Sequence, residues 1–135
     1  MPFMEWNKNF ELGIEQFDDH HKQLISLLNK AYDSVISRAS HADLGAILDQ
    51  LSAFATYHFS AEEQWMRLHG YVGVTHHHEE HNKFSRRIVE IQNDFCNGRT
   101  HLLLEVLTFL KNWLADHILM TDASYGRFAA KLRNV

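Results

Sequence analysis

Eleven histidines in a chain of 135 residues, nearly as many as its 13 lysines and arginines together, are the first chemical signal in this sequence. Histidine is the commonest metal ligand among side chains. Five of the eleven share their spacing with two carboxylates in a way that suits metal binding. His58 and Glu62 are four residues apart, as are His77 and His81; residues so spaced sit one above the other on a helix face. His117 and Asp122 are five apart, which at about 100° per residue leaves them roughly 140° apart around a regular α-helix. For both to serve one site, the helix must end, tighten or bulge between Ile118 and Thr121. With His21 the set comes to five imidazoles and two carboxylates. That is too many for one first-row ion, which takes at most about six ligands, and about right for two ions that share the carboxylates. Nitrogen-rich, thiolate-free ligation suits iron, zinc, copper or nickel better than magnesium or calcium. The Glu-x-x-His pairs of ferritin-like carboxylate sites are missing.

These residues need elements that bring them together. The only proline is Pro2, so nothing breaks a helix from Phe3 onward, and apolar residues recur at helical spacing throughout. Phe17, His21, Leu24, Leu28, Ala31 and Val35 share the face of a first stretch. Ser40 is placed to cap a second, in which Leu44, Ile47, Leu51, Ala55, His58, Glu62 and Trp65 line up. Gly70 and Gly73 punctuate the next connection, Thr75 is placed to cap a third stretch, and His77, His81, Phe84, Ile88, Ile91 and Phe95 form its heptad-like seam. Gly98 closes that stretch. Thr100 is placed to cap a fourth, whose seam reads Leu103, Val106, Leu110, Trp113 and His117. The expected fold is all-α: an antiparallel up-down-up-down four-helix bundle over about 17–120. An irregular arm over 1–16, anchored by Trp6 and Phe10, precedes it, and a short tail helix follows over about 122–133. All of it reads as one domain. His or Glu interrupts each seam at one level, and in such a bundle those levels fall at the same end. Polar groups that meet in a core are costly unless paired or bound to metal.

Composition narrows the partners. A formal net charge of −4 with no basic run argues against nucleic acid. No apolar run is long enough to insert in a membrane, the start MPFMEWNKNF lacks a signal-peptide layout, and Cys96 is alone. A cytoplasmic protein is the expectation.

The fragments FDDHHKQL, HFSAEE, HHHEEH and WLADHILMTD, in this order within a helical bundle, resemble the hemerythrin family, specifically its bacterial single-domain members. The resemblance runs from about Trp6 to Tyr125. It implies two non-haem iron ions (Fe2+/Fe3+) with a bridging oxo or hydroxo group. His77, His81 and His117 would hold one iron, His21 and His58 the other, and Glu62 and Asp122 would bridge them. It further implies reversible dioxygen binding where the second iron is one ligand short, beside an oxygen pocket at Leu114 and Ile118. Storage, delivery to an oxygen-consuming enzyme, or scavenging would then be the role, with no catalytic residue and a monomeric chain. The alternatives are a di-iron redox enzyme acting on peroxide or nitric oxide, and an oxygen sensor acting through a partner. His21 is preferred over His20 because it precedes Lys22 and continues the Leu24–Leu28 seam. His77 is preferred among the histidines at 76–78 because it pairs with His81 at i+4. His20, His41, His69, His76, His78 and His101 are expected to be solvated or capping residues. Trp65, Trp113, Phe84 and Phe59 are expected to pack, and Cys96 to be a small buried group.

Overall fold

Four amphipathic stretches become four long helices in the computed structural model, which describes residues 3–98 and 103–133. They are α1 (Glu15–Ile36), α2 (His41–Leu68), α3 (Val74–Cys96) and α4 (Leu103–Asp116). A widened π-helical turn over His117–Asp122 continues α4 into α5 (Ala123–Arg133). Helix α1 packs on α2 and α4, and α3 packs on the same two. Chain neighbours are therefore neighbours in space, and the bundle runs up-down-up-down.

Helix boundaries follow local chemistry. The Ser40 side chain accepts the Asp43 N–H and caps α2. Helix α2 ends in a Schellman motif: Gly70, at φ 70°, donates to the Arg67 carbonyl, and the Tyr71 N–H donates to the Met66 carbonyl. Thr75 does not cap α3. That helix starts at Val74, with Gly73 in the cap position, and Thr75 falls inside its first turn. A Cβ at residue 73 would collide with the Tyr71 ring. Thr100 and His101 lie outside the described residues.

Helix α1 ends by the same motif, with Arg38 N–H bonded to the Val35 carbonyl and Ala39 N–H to that of Ser34. Here Arg38, not glycine, takes the left-handed conformation at φ 56°, which costs a residue with a Cβ about 1 kcal/mol. Arg38→Gly is therefore expected to raise the melting temperature by a few degrees, corresponding to about 0.5–1 kcal/mol. A melting temperature equal to the parent's, in the same metal state, would count against this.

The seam of α3 is as expected: its buried residues are His77, His81, Phe84, Ile88, Ile91 and Phe95. On α1 the buried face also takes in His20 and Ile25. On α2 it is wider than one stripe, with Leu48, Phe59, Glu63 and Met66 buried beside the expected positions, because this helix touches both α1 and α3. On α4 Leu107 and Leu114 are buried, whereas Val106 and Trp113 are only partly so. Cys96 is exposed, contrary to expectation; it follows Phe95, the last seam residue of α3, and points away from the core.

The arm is tied down. Met4 N–H donates to the Asn29 side chain, which donates back to the Met4 carbonyl. Asp18 accepts the N–H groups of Leu12 and Gly13. Trp6 and Phe10 pack against the main core as the sequence suggests, and the turn Lys8–Phe10 rests on the π-helical segment. A second apolar cluster, built around Leu12, Phe17, Met66 and Tyr125, lies beneath the first. The histidine–carboxylate layer is sandwiched between them.

Candidate metal centre

The seven side chains singled out by spacing converge. His21 stands in the second turn of α1, and His58 and Glu62 near the end of α2. His77 and His81 open α3, and His117 and Asp122 begin and end the π-helical segment. All seven are at most 4% exposed. The segment resolves the five-residue spacing by widening: Ala123 N–H bonds to the Ile118 carbonyl, five residues back. One extra residue in the turn swings Asp122 onto the face that carries His117. Such widened turns recur at functional sites.

The candidate ligand atoms fall into two groups, His77, His81, His117 and Asp122 in one and His21, His58 and Glu62 in the other, each within 4.8 Å internally. The carboxylates span both. Asp122 Oδ1 lies 2.6 Å from His77 Nε2 and 3.1 Å from His117 Nε2, while its Oδ2 lies 3.2 Å from His21 Nε2. Glu62 Oε1 lies 2.9 Å from His58 Nε2 and 3.4 Å from His81 Nε2, and its Oε2 is 3.7 Å from His21 Nε2.

Apart from the His77–Asp122 hydrogen bond, proximity here is not pairing. His58 Nε2, His81 Nε2, His117 Nε2, Glu62 Oε1 and Asp122 Oδ2 are all buried without a hydrogen-bond partner. Orphaned groups of this kind each cost about 1–3 kcal/mol in a packed interior. Five of them crowded together fit cations that would engage all of them at once. The electrostatics agree. Burial and the charge of Asp122 push the Glu62 carboxyl up, but His58 and His81 outweigh them and hold it well below the usual carboxylate range. Asp122 is held down likewise against burial, by His117, His21 and His77. Burial opposes charge on His81, yet Glu62 and Glu63 raise it to about 9. Positive charge is what two buried carboxylates demand, and metal ions supply it by displacing those protons.

Behind the ligand atoms stands a set of residues that spacing did not reveal. Glu63 is buried and its Oε2 accepts from His81 Nδ1 at 2.9 Å; its Oε1 lies 2.5 Å from His78 Nδ1 and 3.5 Å from Arg67. Tyr125 is fully buried and its hydroxyl donates to Glu62 Oε2. His20, expected in solvent, is 7% exposed, and its Nδ1 lies 2.8 Å from His58 Nδ1. Helix α1 meets α2 over a broad face, so two adjacent histidines are both covered. His21 reaches the carboxylates and His20 the back of His58. The remaining described histidines match expectation more closely. His41, His69, His76 and His78 are exposed; His69 stacks on Trp65 and His41 on Phe95. Trp113 stacks on His117 and Phe59 on His81, at ring separations of 4.5 and 4.0 Å, so these aromatics are packing that holds the two imidazole rings in place. Phe84 packs against both Phe59 and Trp113. His21→Ala is expected to remove metal from its group, whereas His20→Ala should keep the full metal complement and bind it less tightly. Equal metal loss in both would show that His20 is as necessary to the metal site as His21.

A four-helix bundle with a buried, carboxylate-bridged histidine layer defines a class: helical metal-binding proteins whose ions sit between the helices. Residues 12–129 match the Hemerythrin family, described as the hemerythrin HHE cation binding domain. The chain belongs to the hemerythrin family. It is 29% identical to the bacteriohemerythrin of Methylococcus capsulatus, covering 93% of this chain and 96% of that protein. It is also 29% identical to the bacteriohemerythrin of Clostridium acetobutylicum, covering 89% and 96% respectively. A crystal structure of wild-type hemerythrin superposes with a TM-score of 0.85 at 28% identity, over 93% of this chain and 96% of that one. No described helix is long and apolar enough to cross a membrane.

Proposed function

We propose that the chain binds two iron ions through His21, His58, Glu62, His77, His81, His117 and Asp122, and uses them to bind dioxygen reversibly. The observation that carries this reading is the uneven division of donors. Three imidazoles (His77, His81 and His117) group with Asp122, and two (His21 and His58) group with Glu62. His21 and His58 supply one imidazole fewer, so a metal ion held on their side would have more room for a small ligand. When bound, the iron pair supplies the reversible electron donation to dioxygen that no side chain of this protein can provide.

The chain's own residues do the rest. Glu62 and Asp122 tie the two groups together across the bundle. Tyr125 fixes Glu62 and in doing so commits its own hydroxyl, which keeps a buried proton donor occupied. Leu114 and Ile118, each 1% exposed, belong to the main apolar core beside His117. They are assigned as the dry wall of the oxygen pocket. The role is storage, delivery to an oxygen-consuming enzyme, or scavenging, by a monomer in the cytoplasm. Metal analysis should give two irons per chain. Anaerobic reduction followed by air should produce a coloured state that fades on removal of oxygen and returns on re-exposure. A single irreversible bleaching or oxidation step would reject reversible binding.

A further inference from the structure

The nitrogens that face away from the proposed irons have unlike partners. Helix α2 places Glu63 directly after Glu62, so one carboxylate reaches into the centre and the next turns toward α3. There Oε2 meets His81 Nδ1 at 2.9 Å. The other oxygen is held near the surface, 2.5 Å from His78 Nδ1 and 3.5 Å from the Arg67 guanidinium. A groove of about 290 Å³ between α2 and α3 is lined by Ser60, Glu63, Arg67, His78, His81 and Asn82 among others, so solvent reaches the back of this linkage. On the opposite flank of α2, His58 Nδ1 meets another imidazole: His20 Nδ1, at 2.8 Å. Phe17, Phe54 and Tyr57 surround the His20 ring at centroid distances of 5.8, 5.6 and 5.3 Å.

A histidine that presents the Nε2 lone pair to a metal carries its proton on Nδ1. His81 must therefore donate to Glu63, and His58 must donate to His20. Such partners fix ring orientation and tautomer, and a carboxylate acceptor makes the imidazole a stronger electron donor than a neutral one does.

We propose, resting on the di-iron reading above, that Glu63 and His20 are positioning residues for His81 and His58. Glu63 is anionic and His20 neutral, so they make the two halves of the centre electronically unequal. The half held by His77, His81 and His117 gains stabilisation of its oxidised form from the Glu63 charge. The half held by His21 and His58 is oriented by His20 without that added charge.

The test uses the iron-loaded full chain and three variants, with the parent assayed alongside. Glu63→Ala should release iron to a ferrous chelator about 10–100-fold faster than the parent. Glu63→Gln keeps an acceptor for His81 and loses the charge. It should restore most of the retention while moving the reduction midpoint upward, a split that loss of packing alone does not produce. His20→Glu places a charge behind His58 and should move the midpoint downward. Far-UV circular dichroism checks the fold; if Glu63→Ala does not fold, Glu63→Gln and His20→Glu decide. Parental release in Glu63→Ala, or a parental midpoint in both charge-changing variants, overturns the proposal while the parent still holds two irons. A parent that does not hold two irons overturns the di-iron reading itself.

Discussion

Replacing His77 or His117 by alanine is expected to bring bound iron from two per chain to one or fewer. Both imidazoles face the same oxygen of Asp122, at 2.6 and 3.1 Å. Losing either strips a donor from the group of four and also leaves Asp122 less compensated. That second effect matters even without metal. Asp122 is 0% exposed, and its carboxyl stays well below the ordinary range only because His117, His21 and His77 outweigh burial. Removing one partner of a buried charge costs about 3–5 kcal/mol, a large part of the total stability of a domain this size. The variants should therefore lose iron and melt at lower temperature, with the metal-free proteins already weakened. His76→Ala is the control. It lies beside His77 on the same helix but is exposed, paired only loosely with Glu80 at 3.9 Å, and should keep two irons and the parental melting point. Metal analysis with thermal melting checks all three. Two irons retained in both ligand variants would show that the cluster is a structural polar network and not the metal centre.

The sequence carried the site further than it carried the helix faces, for a physical reason. Ligand candidates announce themselves as His or Glu where an apolar residue belongs, so a seam read from Leu24, Ile88 or Leu110 picks out His21, His77 and His117 directly. The five-residue gap from His117 to Asp122 also gave away a break from α-helical geometry, since no regular helix aligns such a pair; the π-helical turn is that break. Residues behind the ligands give no such signal. Glu63 follows Glu62 and lies about 100° around the helix from it, which for a helix with one buried stripe means solvent. It is buried because α2 is covered on two sides, by α1 and α3, a fact of packing that spacing does not encode. His20 is hidden for the same reason. Tyr125 lies in the tail helix, outside the four seams, and reaches Glu62 because the widened turn carries α4 on into α5, which places its ring in the second apolar cluster. The start of α3 is not legible from Thr75, because the helix begins at Val74 with Gly73 in the cap position and no side-chain cap.

Leu114→Ser is expected to speed autoxidation severalfold in air while leaving iron content close to two per chain. Leu114 is one helical turn before His117, is 1% exposed and contributes no ligand atom, so its loss should spare the metal groups. What it removes is an apolar wall. Reversible oxygen binding needs the reactive position kept dry, because water or a proton donor beside it turns transient electron donation into permanent oxidation. Serine brings both hazards, a hydroxyl of its own and room for water. Alanine brings only the room, so Leu114→Ala should lie between the parent and Leu114→Ser. Both variants will be less stable, since truncating a buried leucine costs about 2–5 kcal/mol, and instability alone can speed oxidation by opening the bundle. Leu103→Ser separates the two effects. Leu103 is also buried, at the first residue of α4, about 16 Å along the helix from Leu114 at 1.5 Å per residue. It should lose comparable stability yet autoxidise at the parental rate. Ile118→Ser should resemble Leu114→Ser, because Ile118 is equally buried on the other side of His117. The measurement is the decay of the air-exposed reduced protein's visible spectrum to the fully ferric one, at a temperature where every variant stays folded. If Leu114→Ser and Ile118→Ser decay no faster than Leu103→Ser, the dry wall lies elsewhere in the bundle. If all three accelerate alike, the retention of reversible binding depends on the stability of the fold and not on the lining of a pocket.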